Sequence, residues 1–263
     1  MARFSGRARH ALPLQILLLI LLVVLPACGK KGPVRPLLKA EPTVPGQPEA
    51  RQIGEEIFLY VDLPERNLDG TLLTDLSELR IYRRETAGDV CSECDEPTDL
   101  WRTIDLLTVR RDGKRLAIRD EEVRSGYGYR YRLVPVTDRG ITGLSASVAR
   151  KVHPFPPAPS EFTGKGLDRM VKLEWKERSE LAPGWKSLGC QVFRTSGDLP
   201  FGMNSLTASP AQGGRYDDIG PVNGTTYRYQ LHCLAGEGDV IVESPPSAVI
   251  SVTPQPEYEV KAR

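Results

Sequence analysis

Two cysteines three positions apart, Cys91 and Cys94, carry the densest chemical potential in this chain, and several chemistries use that spacing. A redox pair usually opens a helix, whose positive end lowers the thiol pKa. Here Gly88-Asp89 precedes the pair and Asp95-Glu96-Pro97 follows it, a turn whose acidic neighbours would raise a thiolate pKa. A structural zinc site asks for four ligands, and no second cysteine pair stands at a comparable spacing. No histidine follows Cys94, which excludes the usual haem attachment. A structural loop disulfide is the first reading. Zinc and partner-dependent thiol exchange through Cys91 and Cys94 stay open.

Groups that could assist catalysis are scarce. Of the 3 histidines, His10 lies in the apolar N-terminal region, His153 sits between two halves of the chain, and His232 falls within a strand-like run. His232 and Cys233 are neighbours, so on a strand they point to opposite faces and cannot form a nucleophile-base pair. Asp120-Glu121-Glu122 reads as a set of solvated loop charges. No Gly-rich phosphate loop, His-x-x-x-His spacing or nucleophile elbow is present. The sequence therefore points away from an enzyme, and implies no cofactor, metal or small-molecule substrate.

The elements that would hold these residues are short strands, and they occur twice. Ile57 to Val61 matches Val171 to Trp175, Ile81-Tyr82-Arg83 matches Val192-Phe193-Arg194, and Tyr129 to Leu133 matches Tyr227 to Leu231. Each is a period-two run bounded by Gly, Pro, Asn or Asp, as in a β-sandwich. The first two matches are offset by 114 and 111 residues, about one sandwich domain. With 22 Pro and 24 Gly, the composition suits a turn-rich all-β protein. Between the second and third matches the first copy is thirteen residues longer, and Cys91 and Cys94 fall in that excess.

These runs resemble the fibronectin type III module over most of residues 48–256. The second copy carries more of the pattern. A proline-rich entry (Pro154 to Pro159) precedes an inward Trp175, and Asn223-Gly224-Thr225-Thr226-Tyr227 leads to a tyrosine corner. The first copy departs from it, with Val61 at the Trp175 position and Tyr129 reached through Ser125-Gly126-Tyr127-Gly128. The resemblance implies two tandem immunoglobulin-like sandwiches, at 48–152 and 153–256, followed by a tail at 257–263. Cys190 shares a strand face with Val192, and Cys233 one with Leu231. In the fibronectin type III order those two strands are neighbours, which implies a disulfide between Cys190 and Cys233. Two separate buried thiols are the alternative. Leu79 and Pro135 are the equivalent positions in the first copy. Val171, Leu173 and Trp175 should meet Tyr227, Tyr229 and Leu231 in the core.

At the N-terminus, Arg3, Arg7 and Arg9 precede an apolar run from Leu12 to Leu25, the layout of a secretory signal at 1–27. Leu25-Pro26-Ala27-Cys28 resembles the bacterial lipobox. That resemblance implies cleavage before Cys28 and acylation of its sulfur, hence a lipid bilayer as partner. Gly29 is not an acidic retention residue, so the same resemblance directs the protein to the outer rather than the inner membrane. Loss of the three arginines turns the formal charge of +1 into −2, with no basic tract for nucleic acid. An exported chain meets an oxidising compartment, which favours disulfides. Residues 28–47 read as an extended Pro-rich tether. Its first residues, Cys28-Gly29-Lys30-Lys31-Gly32-Pro33, also resemble the start of a short lipoprotein family that assists maturation of the lipopolysaccharide translocon. The reading that joins these features is a lipid-anchored, non-catalytic binding or spacer module for a protein or glycan in the bacterial envelope. An assembly factor acting at an outer-membrane translocon is the alternative, and thiol-disulfide exchange a second.

Overall fold

A computed structural model describes residues 40–91, 94–110, 112–177 and 180–256. The segment 1–27, Cys28 and the tail 257–263 lie outside the described residues.

Among the described residues, seven strands build the first half: β1 (Glu49–Ile53), β2 (Glu56–Asp62), β3 (Leu76–Ala87), β4 (Leu100–Asp105), β5 (Arg115–Asp120), β6 (Tyr127–Thr137) and β7 (Ala146–Lys151). They pair as β1-β2-β5 in one sheet and β4-β3-β6-β7 in the other. Alternation selects the inner faces. Ile57, Leu59 and Val61 meet Leu79, Ile81, Tyr129, Tyr131 and Leu133 in one buried cluster.

The second half repeats the plan with β8 (Ser160–Leu167), β9 (Met170–Lys176), β10 (Lys186–Ser196), β11 (Arg215–Ile219), β12 (Tyr227–Glu237), β13 (Val240–Glu243) and β14 (Ile250–Val252). One sheet is β11-β9-β8, and β12 pairs with β10, β13 and β14 in the other. Along Met-Val-Lys-Leu-Glu-Trp-Lys in β9, burial follows the apolar residues one by one. Val171, Leu173, Trp175, Tyr229 and Leu231 share the second core, with Tyr227 at its margin. The fold is all-β, with two fibronectin type III-like sandwiches. The thirteen extra residues of the first copy fall between Arg83 and Asp120, the stretch that carries β4, whereas β10 is followed by β11 along the chain.

Both halves have the tyrosine corner, including the first, whose sequence departed from the pattern. Arg124 N–H donates to Tyr129 Oη at 2.9 Å and Val222 N–H to Tyr227 Oη at 3.1 Å, each reaching back five residues. The approach through Ser125 and Gly126 replaces Asn-Gly-Thr-Thr without moving the bond.

The described part of the expected tether, 40–47, is not a free chain. Pro42, Pro45 and Pro48 are buried, and the backbone of this stretch is hydrogen-bonded to the sandwich. Thr43 N–H donates to Arg66 O at 3.0 Å, Gly46 N–H to Asp62 O at 2.8 Å, and Pro42 O accepts from Leu144 N–H at 3.1 Å. Gly143 permits this approach, because a Cβ there would run into Pro42 O. Proline lacks a donor, so these residues gave no strand signal in the sequence. Their apolar rings are nevertheless buried.

The two sandwiches share a sheet. β1 pairs in parallel with β13 at Ile53 and Glu243, and Gly54 N–H donates to Glu243 O at 2.8 Å. This joins β10-β12-β13-β1-β2-β5 into one path. Gly54 turns with φ 59°, and a Cβ on it would lie 2.9 Å from Pro245 Cγ.

Candidate functional site

Each sandwich contains a buried carboxylate tied to the opposite sheet. Asp120, at the end of β5, is fully buried. Arg83 Nη1 of β3 donates to both its oxygens at 2.9 Å, and Tyr131 Oη of β6 donates to Oδ2 at 2.7 Å. In the second sandwich Arg194 Nη1 lies 3.0 and 2.8 Å from the Asp218 oxygens, and Tyr229 Oη donates at 2.8 Å. This corrects the sequence reading of Asp120 as a solvated loop charge. It occupies the inward phase of Leu116 and Ile118, so its side chain enters the sandwich. Burial, then the Asp120 charge and hydrogen bond, hold the Tyr131 phenol well above its ordinary pKa. Burial, then the Asp218 hydrogen bond and charge, do the same for Tyr229. Burial depresses the Arg83 guanidinium, but the hydrogen bond and charge of Asp120 outweigh it and raise its pKa. The trio is a locked cross-sheet staple with its protons committed. Glu122 reaches toward Arg83 at 3.4 Å from an exposed position.

The sequence held a signal for this staple. Arg83 and Arg194 close the matched runs on β3 and β10, and Tyr131 and Tyr229 recur on β6 and β12. Each Arg–Asp separation, 37 and 24 residues, differs by the thirteen-residue insertion, which hid the correspondence of Asp120 and Asp218.

Cys91 and Cys94 are joined by a disulfide in the loop between β3 and β4. That loop lies over the outer face of β6 and β7. Arg130 Nη1 donates to Cys91 O and Cys94 O at 3.4 Å each, Arg130 and Ser147 both hold Glu96, and Lys151 Nζ meets Asp89 at 2.6 Å. Arg84 donates to Asp95 O at 2.7 Å. These contacts tie the described residues on either side of the disulfide to the sheet surface. Among the described residues, no group of three or more His, Cys, Asp or Glu side chains is arranged to hold a metal ion.

Cys190 and Cys233 are also bonded, facing each other across β10 and β12 with Cα atoms 3.9 Å apart. The backbone polar groups of Cys190 turn away to Ala211, and those of Cys233 turn away to Ser244. The two therefore form a non-hydrogen-bonded pair, where Cα atoms approach closest. His232, on the opposite face, packs its ring 4.9 Å from Phe193 and places Nδ1 3.4 Å from Glu243. It is not a partner for Cys233.

Around the shared sheet the two halves are locked by side chains that sequence periodicity did not mark. Fully buried Gln52 clasps the linker: its Nε2 donates to His153 O at 2.7 Å, and its Oε1 accepts His153 N–H at 2.9 Å. Arg51 pairs with buried Glu243 and donates to Gln191 at 3.3 Å. Arg150 donates to Ile241 O. Burial, then the Arg150 and Lys151 charges, lowers the His153 pKa. Beside this joint is a cleft of about 570 Å³ between the halves, with Phe58 and Arg119 on one side and Phe155, Gln230 and His232 on the other.

No protein-family model matches the chain. No curated protein matches it either. Among solved structures, it is similar to the FN1-FN3 domains of chicken CNTN1, at 13% identity over 82% of this chain and 69% of that one, with a TM-score of 0.34. It is also similar to a structure described as a myokine, at 17% identity over 38% of this chain and 99% of that one, with a TM-score of 0.28. Strand order and register define the two sandwiches.

Proposed function

We propose that this protein is a non-catalytic binding and spacing module, held on a bacterial envelope membrane by acylated Cys28. The observation that carries the reading is the joint. A sheet continuous through β13 and β1, closed by Gln52 and Arg51, sets the orientation of one sandwich against the other. Ordinary tandem domains move relative to each other unless their interface is extensive. A fixed pair instead holds its loops as one frame, the property that recognition or spacing uses. The Cys91–Cys94 disulfide and the described residues beside it add a surface to that frame, available to a protein or glycan. The lipobox resemblance at Leu25 to Cys28 supplies the anchor, and its Gly29 supports the outer membrane.

The test is the Cys28→Ser variant in the native envelope. Release from membranes, or accumulation of the unprocessed form, is the expected result. Fractionation with membranes at the normal mature mass would overturn the anchor. Truncation after Pro48 separates the alternative role at a translocon, which alone predicts retained function. C91S/C94S tests exchange chemistry, for which loss of activity with an intact fold is required.

A further inference from the structure

One end of the first sandwich collects exposed apolar side chains. Val44, Leu72, Leu107, Ile141 and Leu144 all lie there, five of the eleven exposed large hydrophobic residues among those described. They come from separate pieces of chain that the fold brings together: the N-terminal segment, the β2–β3 loop, the β4–β5 loop and the β6–β7 loop. Backbone hydrogen bonds fix the grouping. Pro42 O accepts from Leu144 N–H, Thr43 N–H donates to Arg66 O, Asp138 N–H donates to Asp75 O at 2.8 Å, and Leu106 N–H donates to Ser77 O at 2.9 Å. Scattered exposed apolar residues are ordinary on a soluble surface, whereas a cluster on loop tips marks an interaction site.

We infer that this end docks on the surface of the lipid bilayer, with the tips of the β2–β3, β4–β5 and β6–β7 loops entering the headgroup region. The inference rests on the anchored reading above, and the path of the chain argues for this occupant. The described chain begins at Ala40 and is bonded into this end by residues 41–46. Eleven residues lie between Cys28 and Ala40, a reach of at most about 40 Å when fully extended. An acyl anchor at Cys28 would keep this end, rather than any other, near the membrane. So short a tether makes loop insertion an intramolecular event at high effective concentration, and weak apolar contacts then suffice.

The charges beside the patch are partly balanced. Lys114 lies 3.7 Å from Glu65 and Arg139 3.9 Å from Asp138, while the Asp69 carboxylate accepts from Thr71. Polar loop backbone flanks the tips, so entry reaches the interface and stops short of the hydrocarbon, where unpaired backbone is not tolerated. Leu72 and Leu107, respectively 67% and 81% exposed, are the foremost contacts.

Full-length acylated protein, reconstituted in phosphatidylethanolamine–phosphatidylglycerol vesicles carrying brominated acyl chains, provides the test. Leu107→Trp and Leu72→Trp place a reporter in the patch, and Leu100→Trp places one at the start of β4, the far end of that strand. The added emission, measured against the parent, should be quenched by bromine for the first two variants and unchanged for the third. Agreement between Leu107→Trp and Leu72→Trp guards against a local folding fault in either. Protein that floats with the vesicles while all three reporters remain unquenched overturns the docking and leaves the anchor standing. Protein that does not float overturns the anchor, and the docking with it.

Discussion

Cys190 and Cys233 stand directly opposite each other on β10 and β12, the register position that Leu79 and Pro135 occupy on β3 and β6. The same site is therefore closed covalently in one sandwich and by apolar packing in the other. The bond closes a loop with a sequence separation of 43, which the chain-entropy argument values at about 4 kcal/mol. Replacing both cysteines by alanine should lower stability by about 2–4 kcal/mol, read by urea unfolding under non-reducing conditions. Peptide mapping without reductant should recover the Cys190 and Cys233 peptides linked. Free alkylation of both would refute the bond.

The Arg–Asp–Tyr staples predict a graded mutational response. Asp218→Ala leaves Arg194 without its buried partner and should cost about 3–5 kcal/mol. Tyr229→Phe removes one hydrogen bond to that charge and should cost about 1.5–3 kcal/mol. Asp120→Ala and Tyr131→Phe should follow the same order in the first sandwich. If Tyr229→Phe proved as damaging as Asp218→Ala, the ion pair would not be what holds the sheets there.

The contrast between Asp120 and Trp175 explains how far the sequence could be read. Trp175 lies in a strict apolar alternation, so its face was visible, as were the duplicated strands and the two cysteine pairs. Asp120 obeys the same alternation, but a carboxylate at an inward position looks like a loop charge until its partners are known. Those partners, Arg83 and Tyr131, come from two other strands. The joint was invisible for a related reason. Gln52, Glu243 and the single parallel pair of β1 with β13 are specified by three-dimensional proximity and carry no period. The docked prolines at 42 and 45 give no packing signal in the sequence, because proline-rich composition describes a free chain and a packed one alike.

Trp175 tests the register of β9. It is 7% exposed and packs in the second core with Leu173 and Cys190. Trp175→Ala should cost about 3–5 kcal/mol through lost burial and the cavity left behind. A thermal melt indistinguishable from the parent would place the indole outside the core.

The linker histidine should make stability sensitive to mild acid. His153 has its folded-state pKa lowered from the ordinary 6.5, first by burial and then by Arg150 and Lys151, with Asp89 opposing. Above pH 6.5 the ring is neutral whether the chain is folded or not, and its contribution is fully present. As pH falls below 6.5 the unfolded chain takes up a proton that the folded chain resists, so stability declines until the lower folded value is passed. Glu85 acts in a separate window. The Tyr129 hydrogen bond, then that of Arg124, lowers its pKa from the ordinary 4.5, and its contribution is lost only as pH falls below 4.5. His153→Gln should therefore flatten the stability profile as pH falls from 6.5 toward 4.5, before the Glu85 contribution begins to be lost. The variant keeps the backbone N–H and carbonyl that Gln52 clasps, so the joint itself is retained. Gln52→Ala is the converse case. It strands those two groups at a cost of about 1–3 kcal/mol each where they are not rehydrated, without removing the imidazole. Urea unfolding at a series of pH values distinguishes the two. A His153→Gln profile parallel to the parent through pH 6.5–4.5 would show that the charge on this ring does not matter to the fold.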